Sequence, residues 1–252
     1  MNEFRVFLPV LQESDDEWLS VESKAEYIQE MQHFIDMIAS LQDSRRDEYL
    51  VGSSFFGAKY RNMGKLEVKV KGGGIAHPFI ENWVKEKYGK KGLAHYKPKI
   101  LAVLRAHGHI DEAKNDRALT TERLILVEKA RSKTDLIDGP SLEICAIKVE
   151  SDNIQLKRAR WISFALEMEA LDSLEIYIAS HAAEPTYWKA LNNCVKIFGS
   201  NKELAKHHCF IPIIAGYPSF IQVLGGDSLH DDAEFHALVG SPLESLMRFL
   251  KI

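Results

Sequence analysis

The chain has 252 residues, 46% of them hydrophobic and 27% charged, the balance of a globular protein long enough to bury a sizeable core. A formal net charge of −4 excludes a global positive field that would draw it to nucleic acid or an acidic membrane, so any anion site must arise from local clustering. Three scattered cysteines (Cys145, Cys194 and Cys209) exclude a CxxC zinc site or a disulfide framework and point to reduced thiols in a cytoplasmic compartment. The opening segment, residues 4–11, is too short and too charged for a signal peptide, and no apolar run is long enough to span a bilayer.

In chain order, Phe4, Val6 and Leu8 alternate with Glu3, Arg5 and Phe7, the period-2 pattern of a strand that Pro9 ends. Ser14-Asp15-Asp16-Glu17 spells a helix start, and Trp18, Tyr27, Ile28, Met31, Ile35, Ile38 and Leu41 then form an apolar stripe at helical spacing. Residues 49–61 read as two strands broken at Gly52-Ser53-Ser54. A third follows Gly64, where Leu66, Val68 and Val70 alternate with Glu67, Lys69 and Lys71. Residues 77–115 read as a helical insertion, with helices expected near 79–88 and 98–106. Strands return at 123–131, 142–149 and 160–169, with another expected at 174–178. From 184 to 252 the pattern is mainly helical. Strands with few intervening helices imply an α+β chain built on a largely antiparallel sheet.

Side chains two apart on a strand share a face. By that parity Glu3 pairs with Arg5, Lys59 with Arg61, Glu67 with Lys69 and Lys71, Lys129 with Arg131, and Glu167 with Glu169. Arg123 has the parity of Lys129, and Glu143 that of Cys145. One reading is an open sheet with this charged face in water, held by cross-strand ion pairs. The other is a site in which the planar forks of arginine grip phosphate while carboxylates on separate strands hold a divalent cation.

Taken in order, these strands resemble the CYTH superfamily, the triphosphate tunnel enzymes that include thiamine triphosphatases, inorganic triphosphatases and class IV adenylate cyclases. Residues 3–7 stand at the opening Glu-x-Glu-x-Lys strand, and Lys59-Tyr60-Arg61 resembles the Leu-Arg-x-Arg strand. Leu66-Glu67-Val68-Lys69 resembles the strand with a phosphate-binding lysine, and Arg123 with Glu128-Lys129-Ala130-Arg131 the Arg…Lys-x-Arg strand. Leu142-Glu143-Ile144-Cys145 resembles Glu-x-Asp, and Leu166-Glu167-Met168-Glu169 the closing Glu-x-Glu. The resemblance implies one domain over 1–252, an eight-stranded antiparallel closed β-tunnel covered by helices. Arg5, Lys59, Arg61, Lys69, Arg123, Lys129 and Arg131 would bind the phosphates of a small anionic ligand. Glu3, Glu143, Glu167 and Glu169 would hold Mg²⁺ or Mn²⁺, and Lys69, Arg131 and Glu167 would serve catalysis of triphosphate hydrolysis. The pattern departs at three places. Arg5 stands at the second N-terminal Glu, Phe7 at the Lys, and Cys145 at the Asp of Glu-x-Asp. A cation two residues from Glu3 opposes a metal there, by about 4 kcal/mol at 4 Å and an effective dielectric near 20. Two further readings stand beside hydrolysis: a binder of polyphosphate or nucleotide without turnover, and an interaction protein whose charged sheet is structural and whose 77–115 segment docks a partner.

Other groups read as structural. Gly72-Gly73-Gly74 has no Gly-Lys-Ser/Thr after it and reads as a strand-ending turn. His107, His109, His207 and His208 lack partners at ligand spacing. Cys145 reads as a small core residue, and Lys85, Lys87, Lys90 and Lys91 as a solvated helix end.

Overall fold

The computed structural model describes residues 1–10, 21–39, 44–53, 55–61, 64–73, 77–111, 119–120, 124–150, 160–181, 186–199, 213–214, 216–218, 220–221 and 246–250. Among the described residues nine strands run in order: β1 (Asn2–Pro9), β2 (Ser44–Ser53), β3 (Phe56–Arg61), β4 (Lys65–Lys71), β5 (Ile80–Lys87), β6 (Leu124–Asp135), β7 (Ser141–Glu150), β8 (Arg160–Met168) and β9 (Ile213–Ile214). Every pairing is antiparallel, in the order β5-β4-β3-β2-β6-β7-β8-β1, and β1 returns to pair with β5. The first eight strands therefore close into a barrel, which leaves no long edge for another chain to extend. The charged face is thus interior, and the open, water-facing sheet is excluded.

Strand β1 is the seam. It pairs with β8 from Asn2↔Met168 to Pro9↔Trp161 along one edge. Along the other it meets β5 over three pairs, from Asn2↔Asn82 to Phe4↔Ile80, and then β9 at Val6↔Ile214 and Phe7↔Ile213. Pro9 lies at the strand end, where its missing N–H breaks least. Strand β2 carries a register shift between Leu50 and Ser53, an irregularity that bends the wall.

The register decides which side chains face the bore. Odd-numbered residues oppose odd-numbered ones around the barrel: Glu3↔Glu167, Cys145↔Ser163, Arg131↔Cys145, Arg45↔Lys129, Tyr49↔Lys59, Gly57↔Lys69 and Lys69↔Lys85. Even-numbered residues turn outward and are covered on two sides. Phe4, Val6, Leu8, Ile144, Ile162, Phe164 and Leu166 lie beneath helix α1 (Val21–Ala39), helix α3 (Leu171–His181) and helix α4 (Thr186–Gly199). Ala58, Leu66, Val68 and Val70 lie beneath Leu93, Ile100 and Leu104 of helix α2 (Leu93–Ala106). Each fully buried large apolar side chain contributes on the order of 1.5–3 kcal/mol, so these two covers supply much of the driving force for closure. No described helix is long and apolar enough to cross a membrane.

Four expectations change. Residues 80–87 form strand β5, not a helix, and among the described residues of the segment 77–115 the helix is α2. Helix α2 starts at Leu93 and carries Pro98 inside it. The Leu93 N–H donates to the Tyr60 hydroxyl at 3.0 Å, which satisfies one group at the helix start. Residues 174–178 lie in α3: Leu174 and Ile178, four apart, are buried while Ile176 between them is 67% exposed. On α1 the buried line is Tyr27, Met31 and Phe34, and Ile35 is exposed. In the C-terminal part, α4 and residues 217–218, 220–221 and 246–249 are helical. Trp18, Leu41, Gly74, Arg123, His207, His208 and Cys209 lie outside the described residues.

Candidate functional site

The bore divides into an apolar half and a charged half. Phe7, Tyr49, Val51, Ile125, Val127, Cys145, Ile147, Val149 and Trp161 fill one half together with Ile213, Tyr217, Phe220 and Ile221 from the C-terminal part. Phe7 stacks on Phe220 with ring centroids 3.8 Å apart, and Trp161 meets Phe220 edge-on at 5.4 Å. The inserted segment needs glycine opposite it. A Cβ on Gly57 would stand 2.6 Å from Pro218 Cγ and 2.9 Å from its Cβ.

The other half is a cavity of about 210 Å³ with Tyr217 and Pro218 in its lining. Among the described residues nine basic side chains line it: Arg5, Arg45, Lys59, Arg61, Lys69, Lys85, Lys129, Arg131 and Lys133. Three carboxylates line it with them, Glu67, Glu143 and Glu167, and the buried Glu3 and Asp47 lie behind. All eight barrel strands contribute. Closing the sheet has converted a one-dimensional alternation into a three-dimensional basic enclosure.

The ion pairs form two walls. On the first, Arg5 Nε meets Glu3 at 2.7 Å, Arg5 Nη1 meets Glu143 at 3.0 Å, and Arg5 Nη2 lies 3.6 Å from Glu167. Each of these carboxylates has a second cation: Lys69 on Glu3 at 2.7 Å, Arg131 on Glu143 at 3.4 Å and Lys133 on Glu167 at 2.8 Å. On the second wall, Asp47 is shared by Arg45, Lys59 and Lys129 at 3.2, 3.3 and 3.9 Å. Glu67 is shared by Arg61, Lys59 and Lys85 at 3.1, 3.4 and 3.6 Å.

The crowding shifts the ionisation of these groups. Burial alone would raise the Glu3 carboxyl, but Arg5 and Lys69 outweigh it and hold it at about 2. Glu143 is held below the usual carboxylate range in the same way, chiefly by Arg5 against burial. Burial lowers Lys59 to about 8, with Arg45 and Arg61 adding to the effect and Asp47 and Glu67 opposing it. Lys129 falls well below the ordinary lysine range, by burial first and then by the neighbouring Lys59. Its ammonium group lies 3.3 Å from the Tyr217 ring centroid and donates to the Tyr49 hydroxyl at 2.6 Å. Cations that suppress one another's charge mark a site of positive potential.

The structure thus brings Glu3, Arg5, Lys59, Arg61, Lys69, Lys129, Arg131, Glu143 and Glu167 together on one bore. Glu169 does not join them. It falls past the end of β8, is exposed, and its backbone carbonyl accepts from the Asn2 side chain. Arg45, Asp47, Lys85, Lys133 and Ser163 are additional members that sequence parity could have supplied, and Tyr217 comes from a segment with no strand pattern. Cys145 is buried, and burial pushes its thiol up, so it is a wall residue rather than a nucleophile. His109 stacks on Phe55 and contacts the Lys71 carbonyl at 2.8 Å, tying the end of α2 to β4.

Mg²⁺ or Mn²⁺ requires about six oxygen ligands, at about 2.0–2.1 Å for Mg²⁺. The carboxylates expected to supply them are taken up by guanidinium and ammonium groups, with Arg5 among all three. Among the described residues no three His, Cys, Asp or Glu side chains are grouped to hold a metal ion. The residues present do not fit a divalent cation.

Two solved structures resemble most of the chain distantly. One is the putative adenylyl cyclase HpAC1 from Hippeastrum, described as having a dominant triphosphatase activity. It shares 10% identity at a TM-score of 0.36, covering 87% of this chain and 92% of that one. The other is the RNA triphosphatase domain of a trifunctional mimivirus mRNA capping enzyme, with 12% identity and a TM-score of 0.32 over 78% of this chain and 89% of that one. Both descriptions name a triphosphatase. No family model matches the chain, and no curated protein matches its sequence.

Proposed function

We propose that the cavity binds the phosphate chain of a small triphosphate-bearing anion: inorganic triphosphate, or a nucleoside or thiamine triphosphate. The observation that carries this reading is the excess of nine basic side chains over three lining carboxylates in one enclosed bore. Lys59, Arg61, Lys69 and Arg131 are the groups best placed to grip it, being partly exposed to the cavity. Among the described residues the buried Nε of Arg61 has no hydrogen-bond partner, which leaves a directed donor for an anionic oxygen. The mismatch between the acidic wall and a divalent cation favours binding over metal-assisted hydrolysis.

Calorimetric titration with inorganic tripolyphosphate tests the reading. Lys69→Ala and Arg131→Ala are each expected to weaken binding by about ten- to a hundredfold, the loss of one charge-assisted hydrogen bond. Equal affinity in wild type and in both folded variants would remove the cavity as the binding site. Phosphate release in the presence of Mg²⁺ or Mn²⁺, lost in the same variants, would replace binding with hydrolysis.

A further inference from the structure

The three carboxylates that resemble metal ligands surround a side chain of the protein itself. Arg5 sits 2% exposed on β1, and its fork reaches three strands. Nε meets Glu3 on β1, Nη1 meets Glu143 on β7 and the Ser163 hydroxyl on β8 at 2.6 Å, and Nη2 faces Glu167 on β8. The guanidinium also lies over the Tyr217 ring, 4.7 Å from its centroid, so packing fixes it from the apolar side. Four cations, Arg5, Lys69, Arg131 and Lys133, already face these three carboxylates.

We propose that the Arg5 guanidinium occupies the cation position of the acidic wall, so that this cavity takes a phosphorylated anion without a divalent metal. The inference rests on the reading of the cavity as a triphosphate site. A guanidinium stays charged at every accessible pH and, unlike a bound ion, cannot dissociate. A divalent ion entering beside it would meet a fixed like charge within the same ring of carboxylates. The same positive charge that excludes the metal adds to the field that the anion meets.

The test is tripolyphosphate titration of the wild-type protein in EDTA and again in Mg²⁺, together with Mn²⁺ binding followed by electron paramagnetic resonance. Because Mg²⁺ chelates free tripolyphosphate and the cavity excludes the metal, affinity in EDTA is expected to equal or exceed that in Mg²⁺, and no protein-bound Mn²⁺ is expected. Binding that needs Mg²⁺, or a bound Mn²⁺ signal that Glu3→Gln abolishes, would overturn the proposal while leaving the cavity as a triphosphate site. Absence of binding in both conditions would overturn both. Arg5→Gln is expected to bind Mn²⁺ at least about tenfold more tightly than wild type, because a like charge is removed from among the carboxylates. A folded Arg5→Gln with unchanged Mn²⁺ affinity would also refute the assignment. The wild-type titrations decide the matter even where that variant does not fold.

Discussion

Lys59 holds the most telling charge in the bore. It lies between Asp47 and Glu67, yet burial and the nearby Arg45 and Arg61 lower it to about 8. In the proposed role it would grip an anion only while protonated, so tripolyphosphate affinity should fall as pH rises through about 8, and Lys59→Arg should flatten that profile because arginine keeps its charge. Calorimetry at pH 7 and 9 on both proteins reads the difference. A profile unchanged by Lys59→Arg would assign the pH dependence to another group. In stability the sign is opposite: between about 8 and 10.5 the folded state binds fewer protons than the unfolded chain, so the penalty of burying this lysine is relieved as pH rises. Most of the site was legible at this scale, since Glu3, Arg5, Lys59, Lys69, Lys129, Arg131, Glu143 and Glu167 all share one parity. Arg45, Asp47 and Lys133 have the same parity but sit at strand ends whose extent the flanking residues did not mark.

At the scale of elements, the decisive piece is the C-terminal segment that enters the barrel. Phe220 fills the bore between Phe7 and Trp161, so Phe220→Ala should destabilise the protein by about 3–5 kcal/mol in urea unfolding, the cost of an unfilled aromatic cavity. A loss under about 1 kcal/mol would mean that the ring is not packed as described. This segment was hidden from pattern reading because its partners are distant in sequence. Phe7 looked like a lost lysine, whereas it is the contact on which the plug rests. Two elements misled for local reasons. In 174–178 the succession Leu-Glu-Ile-Tyr-Ile imitates strand alternation, while burial follows the four-residue step of Leu174 and Ile178. In 80–87 the lysines suggested a solvated helix, yet Glu81, Trp83 and Lys85 alternate with Ile80 and Val84 and face the bore as a strand must.

Across the whole molecule, the fold depends on carboxylates kept ionised inside a barrel. Glu3 is held at about 2, and Glu143, Asp47 and Glu67 are lowered too, in each case by cations that outweigh burial. A carboxyl with a folded-state value below its unfolded one stabilises above the usual carboxylate range and loses that contribution as pH falls through its folded value. Stability should therefore decline steeply from about pH 4.5 towards 2, as the folded state gives up several charge pairs together. Melting temperature against pH measures this. A flat profile over that window would mean that these carboxylates are not paired in solution.

The aromatic filling of one half of the bore bears on polymers. Phe7, Tyr217 and Phe220 fill the passage, so under the proposed function a long polyphosphate would enter the chamber by a terminus, with its interior units in solvent. Affinity per molecule should then level off once the chain is as long as the charged half is deep. The number of protein molecules bound should follow the number of free ends, so a given mass of phosphate would bind more protein when cut into short pieces.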